Sequence, residues 1–175
     1  MFLKKSSSHS AIKNIVTLNA YSGKFYQLKD DKFQPLKKLT FNKSNFISSY
    51  IGNKDLITTS VSLSRSIPEE DIADILEIKA YEELGLDQAS DFVISYVESK
   101  HSGEERKFDI FVAEPDVLDF LYVPIKEETK YIDLIVPAPL LYKTLYRKEI
   151  LEDNGTHCFV YFTKKDAIVT IYSNG

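Results

Sequence analysis

A strand–turn–strand unit occurs near both ends of this chain, and it limits the available folds more than any other feature. Residues Ile15–Phe33 read IVTLNAYSGKFYQLKDDKF. This predicts a strand, a tight turn at Ser22-Gly23, a strand, a turn at Asp30-Asp31 and the start of a third strand. Alternation is clear at Phe25–Leu28, where Phe25 and Gln27 point one way and Tyr26 and Leu28 the other. Residues Phe159–Gly175, FVYFTKKDAIVTIYSNG, follow the same plan, with polar turns at Lys164–Asp166 and Ser173–Gly175. Tight turns join antiparallel neighbours, so a chain built this way is not a simple parallel wind.

The segments between the two hairpins alternate in period. Ser44–Ile51 places Phe46, Ile47, Tyr50 and Ile51 at helical spacing, with Gly52 to end the helix. Asp55–Leu63 is β-branched and predicts a strand. Ile67–Leu84 predicts the clearest helix. Ser66 and Glu69 have capping-box spacing, acidic residues fill the first turn, and Gly85 stands at the C-terminal cap. Ile72, Ala73, Leu76, Ala80 and Leu84 form one apolar stripe, whereas Ile75, Ile78 and Tyr81 extend to another face. That second face is either more core or a surface for a partner. Strands at Phe92–Glu98 and Lys107–Ala113 follow, joined by a polar loop. Then come a helix at Glu114–Val123, a strand at Tyr131–Val136 and a helix at Leu140–Leu151. The expected class is mixed α/β, of the α+β kind, with many antiparallel neighbours.

Composition removes several functions. The chain has 175 residues, 43% of them hydrophobic, enough for a core in one domain or two small ones. A net charge of −4 argues against direct nucleic-acid binding. No apolar run reaches membrane-spanning length, the N-terminus lacks a secretory h-region, and a single cysteine, Cys158, cannot make an intrachain disulfide. A cytoplasmic protein is the expectation, reaching a membrane only through partners. The six glycines stand apart, and neither a Walker loop nor GxGxxG is present. His157 and Cys158 are adjacent on a strand and face opposite sides, so they do not form a nucleophile pair. His9 and His101 lie in polar stretches far from other ligand types, and no metal site is expected.

The run from Val61 to Glu98 resembles PilM-type and GspL-type cytoplasmic proteins of type IV pilus and type II secretion machines. A strand (Val61–Arg65) leads into an acidic helix (Pro68–Glu83), then a strand on the pattern D-F-x-I (Asp91–Ser95). KFDIFVAEPDVLDFL continuing to YIDLIVPAPLL keeps their order. The resemblance implies the actin-like fold of the cell-division protein FtsA. Its first lobe, an antiparallel meander plus parallel strands with flanking helices, would be residues 1–63 and 131–156. An inserted α/β subdomain would be 64–130, and 157–175 would be the hairpin that opens a second lobe. It also implies that active relatives carry Asp-x-Gly in both phosphate hairpins. In this sequence Thr17 and Asn19 take the aspartate and glycine places of the first hairpin, with Lys24 matching a lysine. Tyr161 and Thr163 take those places in the second. Magnesium has lost its oxygen anchors and the phosphate its close backbone approach, so neither cofactor nor ATPase activity is expected.

The resemblance therefore implies a non-catalytic scaffold of a type II secretion, type IV pilus or DNA-uptake (competence) system. Its partners would be the machine's motor ATPase and an inner-membrane assembly protein, docked on a surface including Ile75, Ile78 and Tyr81. An isolated hairpin is marginal, so the terminal one is expected to pack on its own lobe or to pair with another copy in a homodimer. Because the chain ends just after that hairpin, it is expected to be either a piece of a longer protein or one lobe plus a hairpin. Two alternatives remain at this stage. One is a nucleotide-binding actin-like protein using Lys24 and Asn19. The other is an unrelated small α/β binding domain, whose mark would be a sheet order unlike 3-2-1 in the opening meander.

Overall fold

A computed structural model describes residues 14–40, 42–99, 103–162 and 167–173. The expected turn at Lys164–Asp166, together with Thr163, His9 and His101, lies outside the described residues. The described part is mixed α/β, with ten strands and three α-helices.

The opening meander forms as its turns dictate. Strands β1 (Asn14–Asn19), β2 (Lys24–Lys29) and β3 (Lys32–Leu36) pair antiparallel in sequence. Asp30 and Asp31 both take positive φ, 51° and 58°, the twist that a two-residue hairpin needs. The next strand, β4 (Asn45–Ile51), runs parallel to β1. The helix expected at Ser44–Ile51 is therefore a strand. Apolar residues at 46, 47, 50 and 51 satisfy either period over so short a run. Ile47, Ser49 and Ile51 are buried while the residues between them are half-buried. Strand pairing with β1 supplies the backbone partners that a seven-residue helix would mostly lack.

The five-stranded sheet has the order β3-β2-β1-β4-β8, with β8 (Leu134–Pro137) parallel to β4. Asp133 fastens this last pair. Its backbone N–H donates to the Ile47 carbonyl at 2.8 Å, and its carboxylate accepts the Ile47 N–H at 2.7 Å. Helix α2 (Pro115–Thr129) covers the sheet. Its Leu121, Tyr122 and Ile125 join Val16, Leu18, Phe25, Ile47 and Ile51 in one core. The helix runs past the expected end at Val123 and through Pro124.

A second core lies in a three-stranded antiparallel sheet, order β5-β7-β6. Its strands are β5 (Ile57–Ser64), β6 (Val93–Glu98) and β7 (Glu105–Ala113). Helix α1 (Ile72–Leu84) seats Ile72, Leu76 and Ala80 on Val61, Leu63, Phe108, Ile110 and Val112. The expected capping box does not form. Ser66 Oγ hydrogen-bonds Ser64 Oγ instead, and Glu69–Asp71 make a 3-10 turn ahead of the helix, which begins later than Ile67. Glu69 pairs with Arg106, whose guanidinium also holds Glu98 through two nitrogens. Ala73, expected in the buried stripe, faces solvent.

Helix α3 (Ala138–Arg147) follows β8 and ends sooner than the expected Leu151. The chain then makes the hairpin of β9 (Thr156–Phe162) and β10 (Ala167–Ser173), which among the described residues pair only with each other. Its inner face packs on α3 through aromatic rings. Tyr142 stacks on Phe159 with centroids 4.8 Å apart, and Tyr146 stacks on His157 and hydrogen-bonds its Nδ1 at 2.8 Å.

Candidate functional site

Strands β1, β4 and β8 are parallel, so their carboxyl ends lie together. In open α/β sheets that edge is where ligands bind. It also holds the first hairpin turn, and therefore most of the positions singled out by sequence.

Thr17 and Ser48 sit opposite each other in the β1–β4 register, and their hydroxyls hydrogen-bond at 3.2 Å. The Ser48 hydroxyl also reaches the Val16 carbonyl at 3.4 Å. A threonine here makes a neutral cross-strand link. Asn19 caps its own turn, accepting the Ser22 N–H on its side-chain oxygen at 3.2 Å. Lys24 opens β2 opposite Asn19 and is exposed. Gly23 supplies positive φ, 63°, next to it.

The residue that dominates this edge is Tyr21, which sequence reasoning passed over. From the tip of the turn, its hydroxyl accepts the Gly52 N–H at 2.6 Å and donates to Asp55 Oδ2 at 2.6 Å. Its ring packs at 41° to Tyr50, centroids 5.8 Å apart, and the Lys54 ammonium lies 5.1 Å from its centre. Lys54 also pairs with Asp55 at 3.0 Å. Burial first, then the hydrogen bond to Asp55, pushes the Tyr21 hydroxyl well above the usual tyrosine range, against a lowering effect from the Gly52 N–H. A Cβ on Gly52 would stand 3.0 Å from that hydroxyl. A larger residue at 52 would have to push that hydroxyl aside by a few tenths of an ångström, and the partner making the close approach is a side chain of the same molecule. A large aromatic among small turn residues, facing a glycine that ends a strand, was the available signal.

Tyr161 lies on β9, near the far end of the chain. It is 53% exposed and raises the Tyr50 hydroxyl further, after burial, the main cause. On the core side, Tyr122 donates to the Tyr50 carbonyl at 3.0 Å and also reaches Ser49 Oγ. The β1–β2 and β1–β4 registers place Thr17, Asn19 and Lys24 toward one end of the sheet, and Tyr161 bears on that end through its effect on Tyr50. Among the described residues, no three histidine, cysteine or carboxylate side chains converge as metal ligands.

The candidate partner residues on α1 have different surroundings. Ile78 is 57% exposed. Ile75 packs at the edge of the second core. Tyr81 donates to the Ser90 carbonyl at 3.1 Å and meets Phe92 edge-on.

No protein-family model matches this sequence, and no curated protein does. Among solved structures, the cytoplasmic domain of EpsL, an inner membrane component of the type II secretion system of Vibrio cholerae, is similar. The match covers 90% of this chain and 71% of that one, at 10% identity and a TM-score of 0.48. Among the described residues no helix is long and apolar enough to cross a membrane.

Proposed function

We propose that this protein is a non-catalytic scaffold with an actin-like first lobe, working at the cytoplasmic side of a secretion, pilus or DNA-uptake machine. In this reading the five-stranded sheet with α2 and α3 is the lobe. The β5-β7-β6 sheet with α1 is the inserted subdomain, and β9–β10 opens the second lobe. The parallel strands β4 and β8 added beside the β3-β2-β1 meander support it, since this reading calls for a meander followed by parallel strands.

The observation that carries the proposal is Tyr21. Nucleotide phosphates in an actin-like fold need open backbone N–H groups and a carboxylate-held magnesium where the two hairpins meet. Here the Gly52 N–H is occupied by the Tyr21 hydroxyl, and the nearby carboxylate, Asp55, is occupied by Tyr21 and Lys54. Thr17 offers no charge. Phosphoryl transfer rests on positioning and charge neutralisation, and both are diverted to intramolecular contacts. The proposed partners, a motor ATPase and an inner-membrane assembly protein, follow from the sequence resemblance.

Calorimetry with ATP and ADP in magnesium tests the catalytic half, and capture of the machine's motor ATPase tests the scaffold half. No heat of nucleotide binding together with ATPase capture is the expected result. Micromolar nucleotide binding would overturn the non-catalytic reading. Failure to capture the ATPase would overturn the assignment to the machine.

A further inference from the structure

The terminal hairpin has one face with a neighbour and one without. His157, Phe159 and Tyr172 face inward, toward Tyr142 and Tyr146 of α3. The opposite face carries Val160, Phe162, Val169 and Ile171, exposed by 49%, 74%, 54% and 66%, with Cys158 also exposed beside them. Val160 and Val169 are directly paired across the strands, as are Cys158 and Ile171, so these side chains form one continuous apolar patch. Antiparallel strands with one solvated face alternate apolar and polar, whereas strands covered on both faces read as near-continuous apolar runs. FVYF and AIVTIY are of the second kind.

The edges point the same way. Of the other outermost strands, β3 (Lys32, Pro35), β8 (Pro137) and β6 (Glu98) carry features that discourage pairing, whereas β5 carries none. Strands β9 and β10 contain no Lys, Arg, Asp, Glu or Pro, and among the described residues neither has a second strand partner.

We propose that this outer face is where two copies of the chain meet, hairpin against hairpin. The charge pattern favours a second copy. A protein of net charge −4 repels itself over most approaches, but among the described residues this face brings no charged side chain against its own image. A two-fold arrangement makes such a patch its own complement. The exposed side chains amount to on the order of 450 Å² per copy. A pair would bury roughly 900 Å², near the lower end for specific transient interfaces. The dimer is therefore weak and depends on concentration. This inference does not depend on the scaffold reading.

Sedimentation equilibrium over a concentration series is the test. The mass is expected to climb from 20.1 kDa toward twice that value. Ile171→Lys and Val160→Lys should each weaken association at least tenfold, while Phe33→Lys, at an exposed site on β3, leaves it unchanged. If the lysine variants lose far-UV signal, Val160→Thr keeps strand propensity while removing apolar area, and should still weaken the dimer. A short bifunctional maleimide should link two copies through Cys158 in the wild type and fail in Ile171→Lys. A single 20.1 kDa species at the highest attainable concentration would overturn the proposal. So would a monomer that floats with phosphatidylcholine vesicles, which would assign the face to lipid.

Discussion

Tyr21 makes two short hydrogen bonds through one hydroxyl, so a single substitution removes both. Tyr21→Phe removes the donor to Asp55 and leaves the Gly52 N–H, in a buried residue, without its acceptor. A cost of about 1–3 kcal/mol is expected in urea denaturation. Gly52→Ala puts a methyl group 3.0 Å from the hydroxyl and should cost a similar amount in wild type. In a Tyr21→Ala background the cost should shrink, because the clash goes with the ring, and a double-mutant cycle would read the difference. Tyr172 makes the pH case. Burial, then nearby Tyr146 and Tyr142, push its hydroxyl up to about 12 from an ordinary 10.0. Between those values the unfolded chain releases a proton that the native protein keeps. Stability therefore falls as pH rises from about 10 to about 12, and Tyr172→Phe should flatten that slope in thermal melts. The positions Thr17, Asn19, Lys24 and Tyr161 came from laying the hairpin motif of the resembling family on this sequence. Tyr21 was not legible there, because its partners lie 31 and 34 residues away and only the β1–β4 pairing brings them near.

Element boundaries show which local signals the tertiary structure kept. Gly85 takes φ 60° at the end of α1, and its N–H closes onto the Tyr81 carbonyl as the sequence predicted. Nothing lies within 4 Å of a Cβ placed there, so Gly85→Ala isolates the backbone cost. That cost should be about 1 kcal/mol, with Gly85→Asn costing less, both read from urea midpoints. The start of the same helix was misread. Ser66 pairs with Ser64 across a turn, and Glu69 pairs with Arg106 on β7. A long-range ion pair and a serine pair thus replace the local box. The strand β4 was misread as a helix for a similar reason, since local spacing fitted both periods and the open edge of β1 decided between them. The length of α2 was also hidden. Pro124 usually signals an end, yet Leu121, Tyr122 and Ile125 are buried on the sheet and hold the helix through it. On α1, Ile78→Lys should abolish partner capture and leave the fold intact. Tyr81→Lys should destabilise the protein itself, since Tyr81 bonds Ser90 and packs on Phe92.

The whole molecule has two cores joined by a strand that serves both. Phe108, Ile110 and Val112 of β7 belong to the core under α1, while Ala113, the next residue, belongs to the core under α2. The alternation and the helix stripe made each core legible separately. Their separation was not legible, because it depends on sheet membership, which periodicity does not encode. The two clusters share no buried residue, so they can lose structure one at a time. Leu76→Ala is the direct probe. Leu76 is fully buried at the centre of the α1 core, and its truncation should cost about 2–5 kcal/mol through lost contacts and a cavity. Native-state hydrogen exchange should then show amides of α1, β5 and β6 losing protection, while those of β1 and β4 keep theirs. The β7 amides should divide near Val112, with protection persisting on the Ala113 side, where the strand enters α2 and the other core. Equal loss across both sheets would mean that β7 couples them into one cooperative unit. In that case a partner docking on the α1 sheet would also tighten the Tyr21 edge, and the protein would transmit binding from one face to the other.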